Sequence, residues 1–510
     1  MRSLTSVFWI TLVIAGVFSS QPAQAQASYP TNSITTISES AAATLLAPYF
    51  EVDLNNATGM NTIISVNNTG AGYSYTYSGN PPGYSLTGPI AVLAHVTVWS
   101  DLAVPVFNFN VYLTGYDVQK IDMRRVLNGL LPATASAGQD PGDTISPKGR
   151  NSQDINFASC NTPGSPAPPL TSYPWLPPPA QLSAAQISNL QTSLTGQASP
   201  NNSGQCAGRN LGDNIARGYV TIDTVNNCTS RFPSDTGYFG SGGSGDATNQ
   251  VQLTGEVYYI DQLHSIARGG NLVHIHADST DPLTTTSGNY IFYGRYDAWT
   301  AADNRQPLPT NFAARYLSAL FIVPPSTSAP VNAGQNVSDE AVPAYTPAAG
   351  WGEASSKPAS SPNGGTSKVI VWRDPKVAQG YFTCGSSPSW YPLGQEGLFA
   401  IDEQEHPQGV QLTSPPYTFT LADLGSPFPA ATQSVLIGGS ALPVTATKGW
   451  LIIDLNTTVA AAGSNPPIDS AASQGWVQVI EQSSDKLLNV MHNATQWDSG
   501  TAPNHVAGVQ

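Results

Sequence analysis

The sharpest chemistry in this sequence lies at alternate positions: His274, His276 and Asp278, in the run LVHIHAD at 272–278. On a β-strand successive side chains point to opposite faces, so these three share one face. Two imidazoles and a carboxylate are a donor set for Zn²⁺ or another divalent metal. His264 lies just upstream and is placed to arrive from a neighbouring strand. A catalytic centre would need about three protein ligands and an open position. The plainer reading is the solvated polar face of a sheet, with Val273, Ile275 and Ala277 on the core face. The plainer reading is preferred, so no cofactor is assigned and a divalent metal stays as the alternative.

Two further groups invite chemistry. Asp402, Glu403, Glu405 and His406 crowd the run DEQEH, where they could serve as a general base or metal ligands; the plain alternative is an acidic turn ended by Pro407. Tyr73, Tyr75 and Tyr77 alternate ahead of Pro81-Pro82-Gly83-Tyr84. Exposed, they would make a stacking platform for sugar rings; otherwise they form an aromatic ladder on a hairpin, which is the favoured reading. The sequence has no G-x-S-x-G elbow, no H-E-x-x-H helix, no P-loop and no EF-hand loop. The run FGSGGSG at 239–245 is a turn, with no strand feeding a helix there. Asp140 and Asp143 alone make a weak Ca²⁺ loop.

Four cysteines, Cys160, Cys206, Cys228 and Cys384, fit an oxidising compartment and allow three pairings. Cys160 and Cys206 flank a Pro-rich excursion. Cys206 and Cys228 lie on either side of an expected strand, which pulls them apart. The preferred pairing is therefore Cys160–Cys206 with Cys228–Cys384.

The elements that position these residues are mostly strands. In AVLAHVTVW (91–99), Val92, Ala94, Val96 and Val98 face one way and Leu93, His95, Thr97 and Trp99 the other. In VFNFNVYLT (106–114), Phe107, Phe109, Val111 and Leu113 do the same, and the short SDLAVP link predicts a hairpin. Further strands are expected at 49–54, 62–67, 219–225, 256–263, 271–277, 289–296, 368–373, 398–403, 450–455 and 476–481. A glycine–aromatic–apolar motif recurs at Gly218-Tyr219, Gly449-Trp450 and Gly475-Trp476. Either it marks equivalent strands of two related domains or it is ordinary β grammar. One helix is expected at 183–195: Ser183 and Gln186 form a capping box, Ile187, Leu190 and Leu194 an apolar stripe, and Gly196 ends it.

The fold expectation is mainly β, with two antiparallel β-sandwich domains (Ig-like or jelly-roll-like), one short helix and long Pro/Gly/Ser-rich loops. Residues 1–25 read as a signal peptide: Arg2, an apolar run over 7–18 and an Ala23-Gln24-Ala25 cleavage site. The apolar run falls short of the ~20 residues of a membrane span. The N-terminal domain is placed at 26–323, with an insertion at 132–216, followed by a low-complexity linker at 324–366 and a C-terminal domain at 367–510.

Composition narrows the function. The chain has 510 residues, a net charge of −14 and only 10% charged residues, against roughly 25% in ordinary domains. With 19 Lys plus Arg there is no footprint for nucleic acid. No later segment is apolar enough to span a bilayer. The blocks LLAPYFEVDL, AVLAHVTVWSDL, FNFNVYLTGYDVQ, NIARGYVTIDTVNNC, ADNRQPLPT and KVIVWRDP resemble a family of uncharacterised secreted bacterial β-rich proteins. That resemblance implies secretion and supplies no catalytic residue. The expected product is an acidic, secreted protein, periplasmic, extracellular or surface-held. Its expected role is non-catalytic: structural, adhesive or surface-interaction. The alternatives are a metal-dependent enzyme at His274, His276 and Asp278 and a carbohydrate-binding module at Tyr73, Tyr75 and Tyr77. Partners would be a surface glycan or protein, or further copies of the chain through strand edges.

Overall fold

The computed structural model describes residues 40–317 apart from 70–72, 78–83, 89–91, 114–116, 133–181, 227–228 and 290, then 365–375, 380–386, 397–402, 430–439, 448–455, 474–483, 489–497 and a few shorter stretches. The signal peptide and residues 324–364 of the expected linker lie outside these residues, while 365 and 366 belong to a strand.

The first part of the chain supplies β1 (Thr44–Asp53), β2 (Asn61–Asn68), β3 (Tyr73–Tyr77), β4 (Tyr84–Gly88), β5 (Val92–Ser100), β6 (Pro105–Leu113), β7 (Val118–Asp122), β8 (Ile215–Val225), β9 (Leu253–Asp261), β10 (Ile266–Asn271) and β11 (Val273–Ile275). Helices α1 (Met123–Leu127), α2 (Ala184–Leu194) and α3 (Pro282–Thr285) interrupt it. The second part supplies β12 (Asn311–Leu317), β13 (Gly365–Arg373), β14 (Gly397–Asp402), β15 (Pro407–Gln408), β16 (Gln411–Thr413), β17 (Thr418–Thr420), β18 (Thr432–Leu436), β19 (Lys448–Asp454), β20 (Gly475–Ser483), β21 (Asn489–Asn493) and β22 (Thr495–Trp497).

Apart from the two-stranded sheets β3-β4 and β16-β17, these strands build two antiparallel sandwiches. In the first, the sheet β11-β1-β8-β5-β6 faces the sheet β10-β9-β2-β7. Val96, Val98, Val220 and Ile222 of one share a core with Ile64, Val66, Val257 and Tyr259 of the other. In the second, β15-β14-β19-β12-β22 faces β18-β13-β20-β21, and Phe312, Ala314, Leu451 and Ile453 meet Val369, Val371, Val477 and Val479. The domain boundary differs from the sequence expectation. Residues 311–317 enter the second sandwich as β12, ahead of the 324–366 stretch.

Period two places side chains correctly but understates burial. Every residue of β5 and of β8 is buried. The reason is the seam: β11-β1-β8-β5-β6 is covered on both faces, as β13 and β20 are in the second sandwich. Ile370, Ile480 and Met491 join the core of the first sandwich. Trp372 and Trp476 meet Leu46, Trp99 and Tyr219. Across this seam the Thr432 hydroxyl donates to the Pro48 carbonyl, and Arg295 pairs with Asp374. The glycine of the recurring motif has a steric cause at two positions. A Cβ at Gly218 would sit 1.9 Å from the Trp99 carbonyl oxygen, and one at Gly449 would sit 1.9 Å from that of Ile401.

Helix α2 forms where the capping signals put it. The Ser183 side chain accepts from the Gln186 amide, the Gln186 side chain accepts from the Ser183 amide, and Gly196 takes a φ of 68°. The helices α1 and α3 are short additions. Residues 291–296 are not a strand: the chain turns repeatedly there and Tyr293 has a φ of 59°.

The cysteine pairing is also corrected. Cys206 bonds Cys384, 178 residues away, beside a bridge between Cys206 and Phe382. This staple ties the loop after α2 to the loop after β13, and so joins the two sandwiches. It excludes both Cys160–Cys206 and Cys228–Cys384; Cys160 and Cys228 lie outside the described residues.

Candidate functional site

The covered face of β11-β1-β8-β5-β6 gathers more chemistry than any position singled out from sequence. Strand pairing sets His95 and Thr44 opposite Asp223. Loops at 238–248 and 291–305 close over them. Thr44 Oγ1 donates to Asp223 Oδ1 at 2.5 Å. The Tyr238 and Tyr293 hydroxyls donate to Asp223 Oδ2 at 2.6 and 3.1 Å. Arg305 Nε donates to Thr44 Oγ1 at 2.6 Å and lies 3.7 Å from Asp223 Oδ1. Its remaining donors reach the carbonyls of Asp303 and Thr248. One carboxylate thus meets three hydroxyls and a guanidinium, all buried. Burial, and then Asp223, push both tyrosine hydroxyls well above their usual pKa. His95 binds Asn110 at 3.0 Å and burial lowers its pKa, so the imidazole is kept neutral.

The covering loop is conformationally unusual. Tyr293, Ala298, Trp299, Ala301 and Asn304 all have φ between 52° and 62°, a region that non-glycine residues enter at a cost of order 1–3 kcal/mol each. The Asp297 carboxylate helps hold this shape by accepting from the amides of Thr300, Ala302 and Asp303. Burial, then Asp297, drives the Asp303 carboxyl well above its ordinary range.

The His274–His276 face, read as solvated with a divalent metal as the alternative, takes another form. His274 and His276 do come together, but on Ser40. Nδ1 of His274 donates to the Ser40 carbonyl at 2.8 Å, and the Gly255 amide donates to its Nε2 at 3.4 Å. His276 Nε2 contacts the Ser40 hydroxyl at 3.1 Å. Burial, then His274, lowers the His276 pKa to about 4. The face is not solvated either: both imidazoles are buried. Asp278 lies beyond the end of β11, where its carboxylate accepts from the Thr280 amide and hydroxyl. His264 pairs with Asp261 at 2.7 Å in the turn after β9. Among the described residues no group of three His, Cys, Asp or Glu is placed to hold a metal ion.

Of the DEQEH run only Asp402 is described, half-buried at the end of β14. Tyr73, Tyr75 and Tyr77 lie on β3, a hairpin with β4 that sets Tyr77 opposite Tyr84; their side chains lie outside the described structure.

A second buried cluster joins the sandwiches. Glu51 on β1 accepts from the Tyr49 hydroxyl at 3.1 Å and lies 3.8 Å from Arg217 on β8. Burial raises its carboxyl to about 7, against the pull of Arg217, Lys368 and Arg268. Burial lowers Lys368, on β13 of the second sandwich, to about 7. It also lowers Arg268 to about 10.

The sequence reading missed both clusters. A visible signal was a charge inside an otherwise apolar strand: Asp223 in GYVTID, Glu51 in YFEVDL and Lys368 before VIVW. Comparison with protein-family models, with curated proteins and with solved structures finds no match.

Proposed function

We propose that this chain is a secreted, non-catalytic protein with a structural, adhesive or surface-interaction role. One observation carries the reading: the described imidazole and carboxyl groups of His95, Glu51, Asp223 and Asp303 are buried among the protein's own groups. A catalytic acid or base must reach its substrate within hydrogen-bond distance. Here His95 meets Asn110, Glu51 meets the Tyr49 hydroxyl, Asp223 meets Thr44, Tyr238 and Tyr293, and Asp303 accepts from the Arg305 amide. The seam and the Cys206–Cys384 staple favour a rigid two-sandwich body, which suits a protein that must survive outside the cell. The signal-peptide pattern supports export, and among the described residues no helix is long and apolar enough to cross a membrane. The expected partner is a surface glycan or protein.

The test is a hydrolase screen of the purified mature chain, covering ester, glycoside, peptide and phosphoester substrates, alongside metal analysis by plasma mass spectrometry. The expected result is no turnover and no stoichiometric zinc, iron or manganese. Turnover that His95→Ala or Asp303→Asn abolishes while circular dichroism is unchanged would overturn the reading, as would activity tied to a metal lost in His274→Ala.

A further inference from the structure

The run DAWTAAD at 297–303 sets two carboxyl groups close together inside the loop that covers the first sandwich. The Asp297 carboxylate curls back on its own loop and accepts from the amides of Thr300, Ala302 and Asp303 at 3.2, 2.6 and 3.3 Å. It therefore lies against the backbone of Asp303. The Asp303 carboxyl uses its two oxygens differently. Oδ1 accepts from the Arg305 amide at 2.8 Å. Oδ2 is buried and has no hydrogen-bond partner among the described residues. Asp303 is 1% exposed, and the charge acting on it most strongly is that of Asp297, ahead of Arg305. A bare carboxyl oxygen is thus held in the interior beside a second carboxylate.

A buried carboxylate oxygen without a partner is costly, so this one calls for a proton or a cation. Local charge favours the cation. Asp223 is a third carboxyl acting on Asp303, and Arg305 is the guanidinium that these groups share. Three carboxylates against one guanidinium leave two negative charges, which a divalent ion matches. A proton would neutralise one of them and would itself need an acceptor at Oδ2. Ligand type selects among divalent ions. The donors are oxygens, which does not suit the Cys and His sets of structural zinc. Magnesium demands a near-ideal octahedron, whereas calcium takes 6–8 oxygens in a flexible arrangement, with backbone carbonyls and water among them. Two carboxylates completed by carbonyls and water suit calcium without the third acidic or imidazole ligand that is missing here.

We propose that Asp297 and Asp303 hold a structural calcium ion, with Asp303 Oδ2 as its anchoring ligand. The same loop delivers the Tyr293 hydroxyl and the Arg305 guanidinium to the network around Asp223 and Thr44. The ion therefore fastens the covering loop onto the sheet. This site does not depend on the surface-interaction reading, and its failure would leave that reading standing.

The experiment uses the full mature chain, purified without chelator and assayed for calcium by plasma mass spectrometry. It is then dialysed against EGTA and titrated with calcium, magnesium or terbium. Trp299 lies within the run and is placed to sensitise terbium emission. The expected result is stoichiometric calcium and a melting temperature that falls by about 5 °C on chelation. Calcium should restore it and should displace the sensitised terbium. Asp303→Asn should lose both responses, and Asp402→Asn, on the second sandwich, should keep both. If Asp303→Asn does not fold, the wild-type titrations decide alone. A calcium-free protein whose melting temperature ignores EGTA overturns the site, as does equal rescue by magnesium. Calcium responses that persist in Asp303→Asn place the ion elsewhere and overturn it too. So does an infrared band of a protonated carboxyl that Asp303→Asn removes, since the oxygen would then carry a proton.

Discussion

The two buried polar clusters handle charge differently. Around Asp223, one carboxylate meets Arg305 and the hydroxyls of Thr44, Tyr238 and Tyr293, all supplied by the first sandwich and its covering loops. Around Glu51, three cations, Arg217, Arg268 and Lys368, converge on a carboxyl, and one of them belongs to the second sandwich. The first cluster is a closed set of hydrogen bonds with matched charge. The second is a compromise in which burial makes both Glu51 and Lys368 give up part of their charge near neutral pH. The comparison teaches that a low-charge protein can use buried ions as fasteners within a layer, whereas at a seam they make a joint that responds to protons.

The largest effect should come from breaking the matched cluster. Asp223→Ala leaves Arg305 buried without its carboxylate and strips three hydroxyls of their acceptor. Removing one partner of a buried ion pair costs about 3–5 kcal/mol. Urea unfolding should show that loss in the midpoint; a loss under 1 kcal/mol would mean the network relaxes around the gap.

Next comes the staple. Cutting Cys206–Cys384 with paired serines should cost about 2–4 kcal/mol, since the bond closes a long loop. The loss should concentrate on the seam: hydrogen exchange should rise at β13 and β20 while β2 and β9 stay protected. Uniform exchange would argue that the sandwiches do not separate.

The third prediction concerns pH. The Glu51 carboxyl is raised from 4.5 to about 7. Its contribution is therefore fully present below its unfolded value and is lost as pH climbs towards 7. Lys368 is lowered from 10.5 to about 7. Its contribution is present above its unfolded value and is lost as pH falls towards 7. Both losses meet near neutrality. The double variant Glu51→Gln, Lys368→Met should thus gain most over the native chain near pH 7, by about 1–4 kcal/mol, with the gain shrinking towards pH 5 and pH 9. A gain that does not vary with pH would remove the proton-sensitive joint.

Central strands of both sandwiches, among them β5, β8, β13 and β19, were legible because alternation survives even where both faces are buried, as in Val92–Trp99, whereas β7, β12, β18, β21 and β22 were not expected. The helix was legible from Ser183 and Gln186, because caps are local. The seam was not. Whether His274 meets a metal or the Ser40 carbonyl depends on a neighbour 234 residues away. Aromatic density at 289–296 imitates a strand, yet Tyr293 turns left-handed because its ring and hydroxyl must reach Asp223. The Cys206–Cys384 bond failed for the same reason: it follows the meeting of two sandwiches, which sequence spacing does not encode.

The smallest effect gives the finest test of the difference between the clusters. Tyr293 and Tyr49 each donate one hydroxyl at 3.1 Å to a buried carboxyl, Asp223 and Glu51 respectively. Geometry alone predicts equal costs for the two Tyr→Phe changes. Charge predicts otherwise. A hydrogen bond to an ionised acceptor contributes about 1.5–3 kcal/mol and one to a neutral acceptor about 1 kcal/mol. Asp223 accepts from three hydroxyls beside the Arg305 guanidinium, whereas Glu51 is half-protonated near pH 7. Tyr293→Phe should therefore cost about 1 kcal/mol more than Tyr49→Phe at pH 7. The gap should narrow at pH 8.5, where Glu51 is ionised and its bond to Tyr49 becomes charge-assisted. Equal costs at both pH values would mean that Glu51 is ionised throughout, and the seam would then be a fixed ion cluster instead of a proton-sensitive one.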